Sequence, residues 1–181
     1  FRFTGSAFAQ LSSLPSDTSG ATHAVNFKNH IFLANGENVV FSAPYEDDDF
    51  TPASGGGIIN VADSVTDIIV FRDQLIIFGE TTIHRLAGSS QADFQLLPVS
   101  RDLGAVASDT VQEIGGDIMF LGPDGLRLFS ATDKIGDFSL AAVSKTIQAE
   151  MLDLVANSSS FASTIVREKS QYRIFGFRSA S

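Results

Sequence analysis

Short apolar runs recur along this chain, and each is cut by one or two residues that favour a tight turn. The clearest case is Val70 to Ala87, VFRDQLIIFGETTIHRLA. It predicts two strands, Val65–Phe71 and Gln74–Phe78, bent over Arg72-Asp73. A third strand, Ile83–Ala87, follows the turn at Gly79–Thr82. An earlier group has the same rhythm. His23–Phe27, the turn Lys28-Asn29, His30–Ala34, the turn Asn35-Gly36 and Val39–Ser42 read as successive strands, because Asn and Gly tolerate positive φ. Ile58–Ala62 and Phe94–Val99 read as further strands. Ala105–Ile114 leads through Gly115-Gly116 into Asp117–Leu121, and the turn Gly122–Gly125 into Leu126–Phe129. Phe161–Val166 and Tyr172–Phe177 predict a last hairpin around Arg167–Ser170.

The periodicity changes once. In Ser139–Val155, Val143, Ile147, Met151 and Leu154 recur at helical spacing and make one apolar stripe. Ser139 or Ser144 is a candidate cap, and Asn157–Ser160 ends the helix. The stripe predicts packing against a sheet. A helix inserted between sheets is also a sensible place for contact with another subunit.

Aligning the turns exposes a repeat. Phe27-Lys28-Asn29-His30-Ile31 matches Phe71-Arg72-Asp73-Gln74-Leu75 and then Ile114-Gly115-Gly116-Asp117-Ile118, at offsets of 44 and 43 residues. Tyr172 marks a fourth copy, delayed by the helix. About four strands per period of roughly 40 to 50 residues is the pattern of a β-propeller, in which one sheet cannot bury both faces alone. The expected fold is therefore all-β, with propeller-like blades of antiparallel strands and one helix near 140–155. Evenly spaced hairpins also suit a β-sandwich or barrel. The organisation expected is a linker or arm over 1–20, where Ser12–Gly20 is rich in loop formers, then a propeller segment over 21–181. With fewer than four full copies in view, and Phe1 rather than Met at the start, the sequence reads as part of a longer chain.

Composition narrows the chemistry. The chain has 181 residues, 44% hydrophobic, with sixteen Phe but no Trp and no Cys. It is long enough for a real core, yet it has no thiolate for a disulfide or a metal. The net charge of −9 argues against a grip on nucleic acid through neutralised phosphates. No apolar run reaches the ~18 residues of a membrane helix, so no membrane insertion by this segment is expected.

Candidate sites are few, and each has a plainer reading. The acidic loop Glu46-Asp47-Asp48-Asp49 has the oxygens for a hard cation but lacks the alternating spacing of a calcium loop, so a solvated loop is expected. His23, His30 and His84 are scattered and read as satisfied surface or edge residues. Asp102, Asp109, Asp117 and Asp124 offer carboxylates for a glycosidase-like pair, although Asp117 and Asp124 sit where turns want Asp. Gly55-Gly56-Gly57 lacks the following Lys-Ser/Thr of a phosphate loop, and Asn157-Ser158-Ser159 is a formal glycosylation acceptor. No catalytic, cofactor-binding or metal residue, and no cofactor, is expected.

Read in order, a longer series carries a resemblance. It runs through Asn26, Ile31-Phe32, Val40-Phe41-Ser42, Pro44-Tyr45 and Asp47–Phe50 to Asp67-Ile68, Phe71–Phe78, Ile83, Leu86 and Phe94. It continues through Gly104-Ala105, Asp117-Ile118, Phe120-Leu121, Gly125-Leu126, Ser144, Ile147 and Gln171–Phe175. Over Val25–Phe177 it resembles the β-propeller-bearing tail proteins of tailed bacteriophages, the nozzle (tail tubular) and tail-stabilisation proteins of short-tailed phages. The resemblance implies a structural virion protein without catalytic residues. It implies a ring of copies around the DNA exit channel, joining portal or adaptor to the distal tail or fibres. The genome would pass during ejection without specific binding, and assembly would occur in the host cytoplasm. An acidic wall would suit that passage, since like charges repel. The rival expectation is a propeller-fold protein that binds or hydrolyses glycans, disfavoured by the lack of Trp for stacking on sugars.

Overall fold

The computed structural model describes residues 2–3, 5–9, 15–130 and 145–178. It is mostly antiparallel β. Short β1 (Arg2–Phe3) pairs with β2 (Phe8–Ala9). Sheet 1 is a meander of β3 (His23–Phe27), β4 (His30–Asn35), β5 (Asn38–Phe41) and β6 (Gly57–Asn60). Sheet 2 is a second meander of β7 (Val65–Phe71), β8 (Gln74–Gly79), β9 (Ile83–Ala87) and β10 (Gln95–Ser100). Sheet 3 has β11 (Gln112–Ile114), β12 (Asp117–Gly122) and β13 (Gly125–Leu128). After α1 (Gln148–Asn157) come β14 (Ser160–Val166) and β15 (Gln171–Phe177), paired only with each other. Among the described residues no sheet closes into a barrel.

The strands form where alternation and turn chemistry agree. All three predicted first turns are two-residue hairpin loops with both central residues at positive φ: Lys28-Asn29, Arg72-Asp73 and Gly115-Gly116. This is the turn whose twist matches the flanking strands. Only the third is built of glycine, so the first two hold four non-glycine residues in a left-handed conformation.

Register then decides which side chains meet. Leu75 and Ile77 of β8 join Phe27, Phe32, Phe41, Ile68 and Leu86 in a core between sheets 1 and 2. The alternate residues Ile76 and Phe78 join Phe71, Ile83, Ile118 and Phe120 in a core between sheets 2 and 3. Sheet 2 is thus buried on both faces, which is why β8 reads as an unbroken apolar run. The phenylalanines concentrate at these two interfaces. Phe94 lies 5.4 Å from Phe41 and 5.7 Å from Phe32, centroid to centroid, and Phe78 lies 5.1 Å from Phe120 across the second interface. Edge-to-face and tilted contacts of this kind add to the area they bury.

The segments between sheets are pinned by backbone hydrogen bonds. Val65 N donates to Gly36 O, and Ala105 N to Gly79 O, so each linker docks on the second turn of the sheet it leaves. Gly104 has no room for a side chain, because a Cβ there would run into the Gly79 and Glu80 backbone. Residues of the expected arm are also held, with Asn35 Nδ2 donating to Asp17 O and Ser19 O.

Before Gly115 the strand is Gln112–Ile114, and upstream of it Ala105 N and Val106 N donate to Gly79 O and Leu121 O. The expected helix over Ser139–Val155 is described as an α-helix from Gln148, after the 3-10 turn Lys145–Ile147, and Ile147 is about half exposed. Of the stripe, Met151 is buried and Leu154 half-buried, while the caps Ser139 and Ser144, and Val143, lie outside the described residues.

Because the two faces of β8 serve different cores, Leu75→Ala and Ile76→Ala should each cost about 2–5 kcal/mol of unfolding free energy by chemical denaturation. Val70→Ala, at a position 36% exposed, should cost under about 1 kcal/mol.

Candidate functional site

The first turns of the sheets lie side by side and touch. Lys28 Nζ donates to Asp73 Oδ1 at 2.6 Å, from the turn of sheet 1 to the turn of sheet 2. Arg72 Nη2 donates to Gly116 O at 2.7 Å, from sheet 2 to sheet 3. These partners are 45 and 44 residues apart, so one contact is repeated with the period of the sequence. Each cation also sits over the ring that precedes it, Lys28 at 5.7 Å from Phe27 and Arg72 at 4.7 Å from Phe71. Gly115 carries no side chain, so the series stops there. Beyond it a shallow cleft of about 300 Å³ opens between the third turn and the last hairpin, lined by Glu113, Ile114, Gly115, Ile165, Arg167 and Ser170.

Away from this rim, β3 and β7 meet through an ionisable pair. His23 Nε2 lies 3.8 Å from Asp67 Oδ1, and Asp67 Oδ1 accepts from Ile68 N at 2.8 Å. Burial pushes the Asp67 carboxyl up to about 6, with His23 and the Ile68 amide pulling the other way and Asp109 adding to the rise. At the second turn of sheet 2, Asp63 accepts from both the amide and the hydroxyl of Thr81 and of Thr82. Burial raises the Asp63 carboxyl, and these four bonds outweigh it and hold it below its ordinary value. Both carboxylates therefore organise backbone between sheets.

The residues singled out by sequence are dispersed. Asp117 accepts from Ile118 N, Ser130 N and Ser130 Oγ. Asp124 pairs with Arg127 at 2.6 Å, and Arg127 is buried beneath it. Asp102 and Asp109 lie exposed in the linker before sheet 3. Asp117 thus ties the start of β12 to the residue beyond β13, and Asp124 is engaged by the Arg127 side chain of its own hairpin. In the acidic loop, hydrogen bonds from Ser54 and Thr51 hold Asp49 below its ordinary value. Among the described residues no group of three or more His, Asp or Glu is placed to hold a metal ion. Gly55 is the left-handed end of a short 3-10 turn, and Gly56 packs under the Phe50 backbone.

His30 is a correction. Read as a surface or edge residue, it is buried, with Nδ1 donating to Ser42 O at 2.6 Å and its ring set among Phe32, Phe41 and Phe94. It pairs directly with Phe27, the last core residue before the turn, so its side chain follows Phe27 inward. His84 is half-buried, and desolvation lowers its value. Sequence reasoning also missed Asp67. Its only signal was a carboxylate inside the apolar run VTDIIVF, in a strand whose first four residues are buried.

What this arrangement does is bind sheet to sheet, through polar turns on one rim and carboxylate caps elsewhere. The chain matches no protein-family model and no curated protein.

The Asp67 shift has a definite sign. Between about pH 4 and 6 the folded chain keeps a proton that the unfolded chain has released, so stability falls as pH rises through that window. Asp67→Asn retains an acceptor for Ile68 N and removes the ionisation. It should flatten the profile and be more stable at pH 7.5 by up to about 3 kcal/mol, read from denaturation midpoints across pH. An unchanged slope would place the titration elsewhere.

Proposed function

We propose that this chain is a propeller-like segment of a structural protein of a bacteriophage tail, forming part of a ring around the DNA exit channel. In this reading sheets 1, 2 and 3 are successive blades, with β3, β7 and β11 as corresponding strands. The observation that carries it is the repeated turn contact, Lys28 to Asp73 and Arg72 to Gly116, which joins successive sheets at offsets of 45 and 44 residues. Stacked repeats that meet only their neighbours are the basis of such architectures. The sequence resemblance supplies the tail assignment. The first-turn cations and the Asp63 carboxylate are taken up in holding sheets together, which fits a scaffold better than an enzyme. The net charge of −9 suits a wall past which DNA slides. Copies of the chain, portal or adaptor, and tail fibres are the partners in this reading, and the virion is its place.

Negative-stain electron microscopy of the purified chain tests it. Closed rings with a central channel are expected, and a monodisperse monomer at every concentration would overturn the ring.

A further inference from the structure

Among the described residues, the large apolar side chain most open to water is Tyr45, at 82% exposure. Its backbone holds φ +65, a left-handed conformation that a bulky residue rarely adopts. Glu46 N donates to Ala43 O at 3.3 Å, so Pro44 and Tyr45 are the central residues of a tight turn. With Pro first, the second centre of such a turn ordinarily goes to glycine. A ring this exposed gains little from burial, so packing does not account for a tyrosine held in a strained backbone. Strain of this kind persists where the surroundings fix it, and it collects at places that bind.

Asn29 does the fixing, at both the main chain and the tip of the ring. Tyr45 N donates to Asn29 O at 2.8 Å, and Asn29 Nδ2 donates to Tyr45 Oη at 3.1 Å. The ring is therefore presented already ordered, and a ligand that settles on it meets little further loss of freedom.

Beside the ring lies a depression of about 350 Å³, lined by Tyr45, Asn26, Asn29, Ile31, Glu46 and Asp47. Four of these, Asn26, Asn29, Tyr45 and Glu46, are exposed, so it opens to solvent at the rim of sheet 1. Asn26 is paired with Ile31 across β3 and β4, which puts an amide and an aliphatic side chain together on one face.

This lining selects by chemistry. Glu46 and Asp47 repel phosphates and other anions. A wholly apolar ligand would strip water from amides and carboxylates and give nothing back. A hydroxylated ring suits every part: its carbon–hydrogen face can lie on Tyr45 and Ile31, while its hydroxyls donate to the carboxylates and accept from the amides. We infer that this depression binds a neutral carbohydrate, with Tyr45 as the stacking platform and Asn26 and Glu46 as hydrogen-bonding partners. The chain has no Trp for stacking on sugars, and Tyr45 is the ring left open to do it. The site needs neither the tail assignment nor the ring of copies, since a structural protein can carry it on its rim.

The test uses the whole chain and four neutral probes, oligosaccharides of glucose, of mannose, of galactose and of N-acetylglucosamine. Binding is read by saturation-transfer NMR on the sugar, which leaves every variant measurable, with circular dichroism melting to confirm folding. At least one probe should bind. Tyr45→Ala should weaken that binding about tenfold, the scale for losing an aromatic platform. Tyr45→Phe keeps the ring, loses only the bond from Asn29, and should retain most of the affinity. Tyr45→Gly separates binding from folding, because glycine takes φ +65 without strain: it should melt no lower than Tyr45→Ala and still bind as poorly. Asn26→Ala should weaken binding several-fold. Failure of all four probes to bind, or full binding in Tyr45→Ala, overturns the site. A short arginine peptide bound where no sugar is would assign the depression to a cation and overturn the carbohydrate. Each of these outcomes leaves the ring reading as it stood, since none depends on how many copies assemble.

Discussion

Everything in this molecule depends on sheet 2 having no outside. Leu75 and Ile77 project into one core and Ile76 and Phe78 into another, along a strand only six residues long. A single sheet of this size cannot keep both faces out of water, so its stability is borrowed from the sheets on either side. Each fully buried Ile or Phe contributes about 1.5–3 kcal/mol relative to exposure. Sheets 1 and 3 are tied to it in turn by Phe94 with Phe41 and by Phe78 with Phe120. Asp67 is tolerated in this setting only because His23 and the Ile68 amide stand beside it.

The turns enforce that division. A one-residue slip would exchange the two faces of a strand and place polar residues in the core. The two-residue loops at Lys28-Asn29, Arg72-Asp73 and Gly115-Gly116 leave no slack for such a slip. The same loops also set the spacing between sheets, since the first residue of one reaches the next. Exposed pairs such as Lys28 with Asp73 are individually worth little, about 0–1 kcal/mol. Their value lies in orientation, because the apolar cores supply the energy and leave the relative angle of the sheets less defined.

The meanders of sheets 1 and 2 were legible because turn residues and alternation carry their own mechanism. Asn35-Gly36 and Gly122–Gly125 could hardly be anything else, and the offset from Lys28 to Arg72 to Gly115 can be read directly. What escaped was whatever depends on partners distant in the chain. His30 is buried because of Phe94, more than sixty residues away, and no local pattern announces it. Asp67 looks like a defect in a strand until His23 is placed across from it. The candidate carboxylates Asp117 and Asp124 were readable as turn residues, and Asp124 is engaged locally by Arg127, while Asp117 also takes two bonds from Ser130, thirteen residues on.

The order in which the sheets are threaded has a consequence for how the molecule comes into being. Each meander is made from about 40 consecutive residues, and every packed interface joins neighbours in sequence. Loop closure therefore costs little at each step, and contacts stay close to the diagonal of the chain. Sheet 1 can pair its strands before its successor is complete, and its inner face is covered once that successor packs on it. Growth by accretion of this kind leaves the newest surface always open, apolar and ready for the next layer.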